Sequence, residues 1–180
     1  MPRRRWRSPC RQRAPHRKSP DDNAAGPYAP RRAGAGAARS SAGAAGRVSV
    51  VSGTFQSQGF TFNAKAGAQW IDLTGDGSKT ATGVAQSVAT TPGTSYQLTF
   101  WVGNVNDPGG IFGVSTTVKV FVNGVLKLTA VNSLHPAGHR QAWKEFTLTM
   151  QAASSHTRIS FINGDPFTDD SNGLDAVHLS

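Results

Sequence analysis

The chain has 180 residues, with nineteen Lys and Arg against ten Asp and Glu and a formal charge of +9. Residues 1–47 hold eleven Arg and one Lys against Asp21 and Asp22, whereas residues 48–180 hold seven basic and eight acidic residues; the charge describes a basic tail and argues against a basic, nucleic-acid-binding domain. The single cysteine, Cys10, excludes an intrachain disulfide, and no apolar run approaches the ~18 residues of a membrane-spanning helix.

Residues 1–47 are built almost wholly from Arg, Pro, Ala, Gly and Ser, with no Ile, Leu or Phe. Such a stretch buries too little apolar surface to offset its ordering entropy and is expected to be a disordered tail. Three accounts of it stand side by side: a solvated linker, an arm that binds polyanions, or a segment produced by a mis-called start or a frameshift in a GC-rich gene. Its arginines are not followed by an apolar segment, so no signal peptide is expected within it.

From Val48 the texture changes to short β-prone runs punctuated by Gly, Asn, Asp and Pro. Residues 48–52 read as a strand, and 54–63, carrying Phe55, Phe60 and Phe62, as a weakly alternating run. In 68–73, Ile71 and Leu73 share one face and Trp70 and Asp72 the other. A turn on Gly75 and Asp76-Gly77 leads to 83–90, with Val84, Gln86 and Val88 on one face. Thr91-Pro92-Gly93 turns the chain into 96–104, where Tyr96, Leu98, Phe100 and Val102 alternate with Gln97, Thr99 and Trp101.

After a Gly-rich loop, Val118, Val120 and Val122 alternate with Lys119 and Phe121. Asn123-Gly124 supplies a type I′ hairpin turn to 125–131. Residues 142–151 place Phe146, Leu148 and Met150 inward and Trp143, Glu145 and Thr147 outward. Strands at 156–162 and 173–179 flank an acidic loop. About nine strands and no helical period make the expected fold all-β: a two-sheet antiparallel β-sandwich over residues 48–180, with alternation alone leaving jelly-roll and immunoglobulin-like topologies open and no Cys-Trp-Cys signature for the latter.

One set of residues resembles a known family. Trp70-Ile71-Asp72-Leu73-Thr74-Gly75 is followed by Gly83-Val84-Ala85-Gln86-Ser87-Val88 with Thr90, Pro92-Gly93 and Tyr96. Phe100 with Gly103-Asn104, Trp143-Lys144-Glu145-Phe146 and Leu174-Asp175-Ala176-Val177 complete the series. In this order they resemble the secreted domain of unknown function found in plant cell-wall proteins and bacterial choice-of-anchor surface proteins. The resemblance implies a galactose-binding-like sandwich, a cell-wall or carbohydrate association, an extracellular or cell-surface location and no enzymatic activity. Nothing in residues 1–47 matches the first strands of that family, so the sandwich is expected to lack them.

No nucleophile elbow, phosphate-binding loop, dinucleotide fingerprint or zinc-protease motif is present. Glu145 is the only glutamate and most Asp residues lie in turns, which leaves no evident carboxylate pair for glycoside hydrolysis. His135 and His139 stand four apart, but Pro136 and Gly138 place them on a solvated loop rather than on a zinc-binding helix.

Asp165, Asp169, Asp170, Asn172 and Asp175 group hard oxygen ligands that suit Ca²⁺. Asp175, sharing a face with Val177 and Leu179, is expected to point inward. The resemblance adds that a structural calcium often sits near such a terminal Asp. The metal candidates are Asp175, Asp170 and Asp169, and the alternative is that Asp175 caps backbone amides in a solvated loop. No cofactor beyond structural Ca²⁺ is expected.

Trp70, Trp101, Phe121 and Trp143 all fall on the non-core faces by alternation. Either they stack on sugar rings beside polar neighbours, or they lie under loops and edges. The leading expectation is a non-catalytic module that binds polysaccharide or cell-wall glycan. The others are a structural or adhesive surface domain without glycan affinity, and polyanion binding, nucleic acid included, through the tail.

Overall fold

The computed structural model describes residues 4–5, 48–75 and 82–180. The expected disorder of the tail, Arg4 and Arg5 apart, and the Asp76-Gly77 turn lie outside the described residues. Among these, every element is a strand: β1 (Arg4–Arg5), β2 (Ser49–Ser52), β3 (Phe55–Ser57), β4 (Phe60–Phe62), β5 (Gln69–Asp72), β6 (Gly83–Ala89), β7 (Ser95–Asn104), β8 (Thr116–Val122), β9 (Val125–Asn132), β10 (Ala142–Gln151), β11 (His156–Asn163) and β12 (Gly173–Leu179).

The larger sheet runs β10-β7-β12-β5-β2, with β1 beside the end of β12; the smaller runs β6-β11-β8-β9, and all pairs are antiparallel. From β5 to β12 the chain changes sheet at each connection except the β8–β9 hairpin. That wiring brings strands distant in sequence together as a jelly-roll β-sandwich.

The period-two patterning fills the space between the sheets. Leu98, Phe100 and Val102 of β7 meet Val118, Val120 and Val122 of β8 and Ile159 and Phe161 of β11, with Leu73, Met150 and Leu174 completing the core. The β8–β9 turn has Asn123 at φ 49° and Gly124 at φ 82°, the left-handed pair that a two-residue hairpin requires.

The run at 54–63 is not one strand. Gln58 and Gly59 adopt φ 49° and 82° and fold it into the hairpin β3–β4. This hairpin forms a second core, in which Phe60 and Phe62 pack with Trp70, Val105 and Phe112, and Trp143 lies against them.

Trp143 reaches this cluster because the strands beside it carry no side chains at the crossing. Gly103 faces Trp143 across β7–β10 and Gly173 across β7–β12. A Cβ on Gly103 would meet the Trp143 ring at 3.0 Å and Gln141 Nε2 at 2.6 Å, and one on Gly173 would meet the ring at 3.2 Å.

Strand β12 departs from simple alternation. Its register shifts between Asp175 and His178, and Ala176 sits at φ 49°. The bulge reverses the pleat: Val177 and Leu179 pack on the core, but Asp175 pairs with outward-facing Trp101. Asp175 therefore faces outward, contrary to the inward position expected from its spacing to Val177.

Candidate functional site

The middle of the larger sheet's outer face carries Trp101. It is half-buried, with Glu145 of β10 opposite on one side and Asp175 of β12 on the other. Lys65, from the loop after β4, places its ammonium 3.7 Å from the ring centroid. That loop is fixed from beneath. Lys65 N–H and Ala66 N–H donate to Asp175 Oδ2 at 2.8 and 3.1 Å, and Ala176 N–H, freed from the ladder by the bulge, donates to Asp175 Oδ1 at 2.6 Å. A planar ring on a paired strand, flanked by the exposed carboxylate of Glu145 and by the Lys65 ammonium, can stack on an apolar sugar face while its polar neighbours hydrogen-bond the hydroxyls.

The other three aromatic candidates lie elsewhere. Trp70 is 3% exposed. Its ring stacks on Phe62 and its Nε1–H donates to the Phe62 carbonyl at 3.3 Å. Trp143 packs edge-on against Trp70 and donates Nε1–H to the Asn63 carbonyl at 2.9 Å. Both were expected on the non-core face, either stacking on sugars or lying under loops and edges; the hairpin β3–β4 packs on that end of the sheet, burying Trp70 in the second core with Trp143 partly buried against it. Phe121 is half-buried on the smaller sheet, across from Ser160 and Leu126, so it cannot join Trp101 in one site.

A second group gathers around the 163–172 loop. Asp72 Oδ1 accepts from Thr74 N–H at 3.0 Å, Thr74 Oγ1–H at 2.7 Å and Asn172 N–H at 3.1 Å. Asp165 accepts from Thr117 N–H on Oδ1 and from Asn172 Nδ2–H on Oδ2. Asp169 Oδ1 accepts from Ser171 N–H at 3.1 Å. Burial is the main force on all three. It raises Asp72 to about 6, Asp165 to about 7 and Asp169 to about 8, and neighbouring carboxylates push each in the same direction.

Of the expected metal candidates, Asp169 and Asp170 belong to this loop. Asp170 is half-buried, its N–H bonded to the Ile111 carbonyl. Asp175 does not belong to it, because its carboxylate is engaged by the Lys65–Ala66 and Ala176 amides. Among the described residues no three acidic, His or Cys side chains stand in ion-holding geometry. His139 rests its ring 4.9 Å from Phe60 at φ 51°, a loop position.

Sequence reasoning missed Lys65 and the part that Asp72 plays; it had Asn172 among the grouped oxygen ligands but not as a fully buried residue. Lys65 sits between β-runs, where only the fold reveals what it covers. Asp72 was visible as an outward residue of β5, but its approach to the acidic loop depends on the pairing of Asp72 with Gly173. No helix of the described residues is long and apolar enough to cross a membrane.

Similar solved structures include a family 35 carbohydrate-binding module from an environmental isolate, at 15% identity over 71% of this chain and 86% of that one, TM-score 0.48. A family 35 module from Clostridium thermocellum matches at 13% identity over 73% and 86% of the two chains, TM-score 0.42. An exo-β-1,3-galactanase from Phanerochaete chrysosporium matches at 16% identity and TM-score 0.47 over 75% of this chain, which spans only 26% of the galactanase. These likenesses are too distant to transfer a function. No curated protein sequence matches. The profile of one family, described as a protein of unknown function (DUF642), matches residues 39–177. With most of its length covered by that match, the chain belongs to the DUF642 family.

Proposed function

We propose that this domain is a non-catalytic, extracellular module that binds carbohydrate or a cell-wall polymer on the outer face of its larger sheet. The observation that carries the proposal is the position of Trp101, half-buried on the interior strand β7 between Glu145 and Asp175. A neutral sugar would lay its apolar face on the indole, and Glu145 would accept hydroxyl hydrogen bonds. The non-catalytic part is supported by the state of the carboxylates. Asp72, Asp165 and Asp169 are hydrogen-bonded inside the loop cluster, and hydrolysis needs two carboxylates facing one bond. The resemblance to plant cell-wall and bacterial surface proteins supports the extracellular placement.

The test is a polysaccharide pull-down and glycan array with the full chain. Binding that is lost in Trp101→Ala and kept in Phe121→Ala, with thermal midpoints unchanged in both, supports the proposal. Absence of binding to every glycan overturns it.

One observation favours a second reading, that of a structural or adhesive surface without glycan affinity. Lys65 already covers the Trp101 ring, which is how a surface aromatic is shielded when nothing binds there.

A further inference from the structure

In the interior of the loop cluster three oxygens converge on one nitrogen. The Thr117 carbonyl, Asn163 Oδ1 and Asp165 Oδ2 all lie 2.7 Å from one atom, the side-chain nitrogen of Asn172. A carboxamide nitrogen carries only two hydrogens, so it cannot serve all three; the Thr117 carbonyl also accepts from Gly164 N–H at 2.8 Å and Asn163 Oδ1 from Asp165 N–H at 2.9 Å. The opposite end of the same amide shows the converse defect. Asn172 is 0% exposed, yet its Oδ1 has no donor. Ser171 beside it is 2% exposed, and its Oγ also lacks a partner.

Asp72 and Asp169 bracket these two residues, holding the Asn172 and Ser171 N–H groups at 3.1 Å each. Among the described residues, the charges acting on Asp72, Asp165 and Asp169 come from one another and from Asp170. A buried anionic cluster without a counter-cation is costly. Hydrogen bonds to backbone amides offset part of that cost and leave the orphaned oxygens unexplained.

Hard cations meet this description. Ca²⁺ takes six to eight oxygens, in any mixture of carboxylate, carboxamide and backbone carbonyl, at about 2.3–2.6 Å. We propose that Asp165, Asn163, Asn172 and the Thr117 carbonyl form a Ca²⁺ site, Asn172 turning its amide so that Oδ1 joins the other oxygens, with Asp72 and Asp169 adding negative charge around it. The central set has a single carboxylate and otherwise neutral oxygens, which is why no trio of acidic side chains frames an ion among the described residues. It excludes Asp175. The bound ion would tie β8 and β11 to the 163–172 loop, and it is independent of any glycan on the Trp101 face.

The test uses the full chain after chelator treatment and dialysis, titrated calorimetrically with CaCl₂ near neutral pH, with thermal midpoints recorded in parallel. Saturable binding of one Ca²⁺ with a rise in the midpoint is expected, and both effects should vanish in Asp165→Asn but persist in Asp175→Asn. Should Asp165→Asn fail to fold, Asp169→Asn leaves the Asn172 contacts intact and is expected to weaken Ca²⁺ binding about tenfold through its lower charge count. No heat and no midpoint change at millimolar Ca²⁺ would overturn the site, and so would unchanged affinity in Asp165→Asn or Asp169→Asn.

Discussion

The ammonium of Lys65 lies 3.7 Å above the Trp101 ring, and the backbone N–H of the same lysine is held by Asp175 at 2.8 Å. The loop anchor and the covered ring are thus parts of one arrangement. A cation over an exposed indole is worth about 0.5–1 kcal/mol. A sugar stacking on that face must displace it. Lys65→Ala should therefore leave the fold intact and tighten binding of a neutral glycan by about two- to fivefold, the same energy expressed as affinity. Titration calorimetry or affinity electrophoresis reads the change. Weaker binding in Lys65→Ala would instead show that the lysine itself contacts the ligand.

Asp175 is expected to act on both stability and site geometry. Replacing it with Ala removes the acceptor for the Lys65, Ala66 and Ala176 amides. The loss should cost about 1.5–3 kcal/mol, the range for a hydrogen bond to a charged group, measured by denaturant midpoint. Asp175→Asn keeps one acceptor oxygen and should recover part of this. An unchanged midpoint in Asp175→Ala would show that water replaces the carboxylate at no cost.

The sandwich was legible because burial imposes a period of two, and β7 and β8 carry it cleanly. The sites were less legible, for three physical reasons. The bulge at Ala176 leaves no residue signal, since alanine has no preference for a positive φ, and yet it moves Asp175 from the core face to the outer face. The hairpin at Gln58–Gly59 lacks the usual Asn-Gly pair, so the segment that buries Trp70 and Trp143 looked like one poor strand. The acidic loop was visible as a run, but its partners Asp72 and Thr117 come from β5 and β8 through long-range pairing that local pattern does not encode. Asn104 lies at the other extreme. It stands in the Gly103-Asn104 pair of the family series, and it is 0% exposed, its Nδ2 donating to the Leu134 and Val114 carbonyls and its Oδ1 accepting from Thr116 Oγ1.

Trp70 and Trp101 occupy the same side of the sheet and should respond in opposite ways to truncation. Trp70→Ala empties part of the second core and orphans the Phe62 carbonyl, so a loss of about 3–5 kcal/mol is expected. Trp101→Ala removes a half-exposed ring and should cost about 1 kcal/mol or less, since only one face is packed. Urea unfolding of the two variants separates them. Equal costs would place Trp101 in the core and end its candidacy as a binding residue.

The acidic cluster predicts a pH dependence with a definite sign. Asp72, Asp165 and Asp169 have a reference value of 3.8 and rise to about 6, 7 and 8 on folding. The folded chain therefore binds more protons than the unfolded chain across that interval, and stability falls as pH rises. The contribution of these groups is complete below the unfolded value and is lost as pH climbs through the folded values, as each carboxylate becomes a buried anion. In chelator-treated protein the thermal midpoint should decline from about pH 4 to about pH 8, and Asp169→Asn should flatten the upper part of the curve by removing the group that titrates last. Added Ca²⁺ should restore the midpoint most at the alkaline end, where the carboxylates are charged and the cation offsets them. A midpoint that rises steadily from acid to alkaline pH without calcium would show that the three carboxylates are ionised at no cost, and that the cluster is already neutralised by another group.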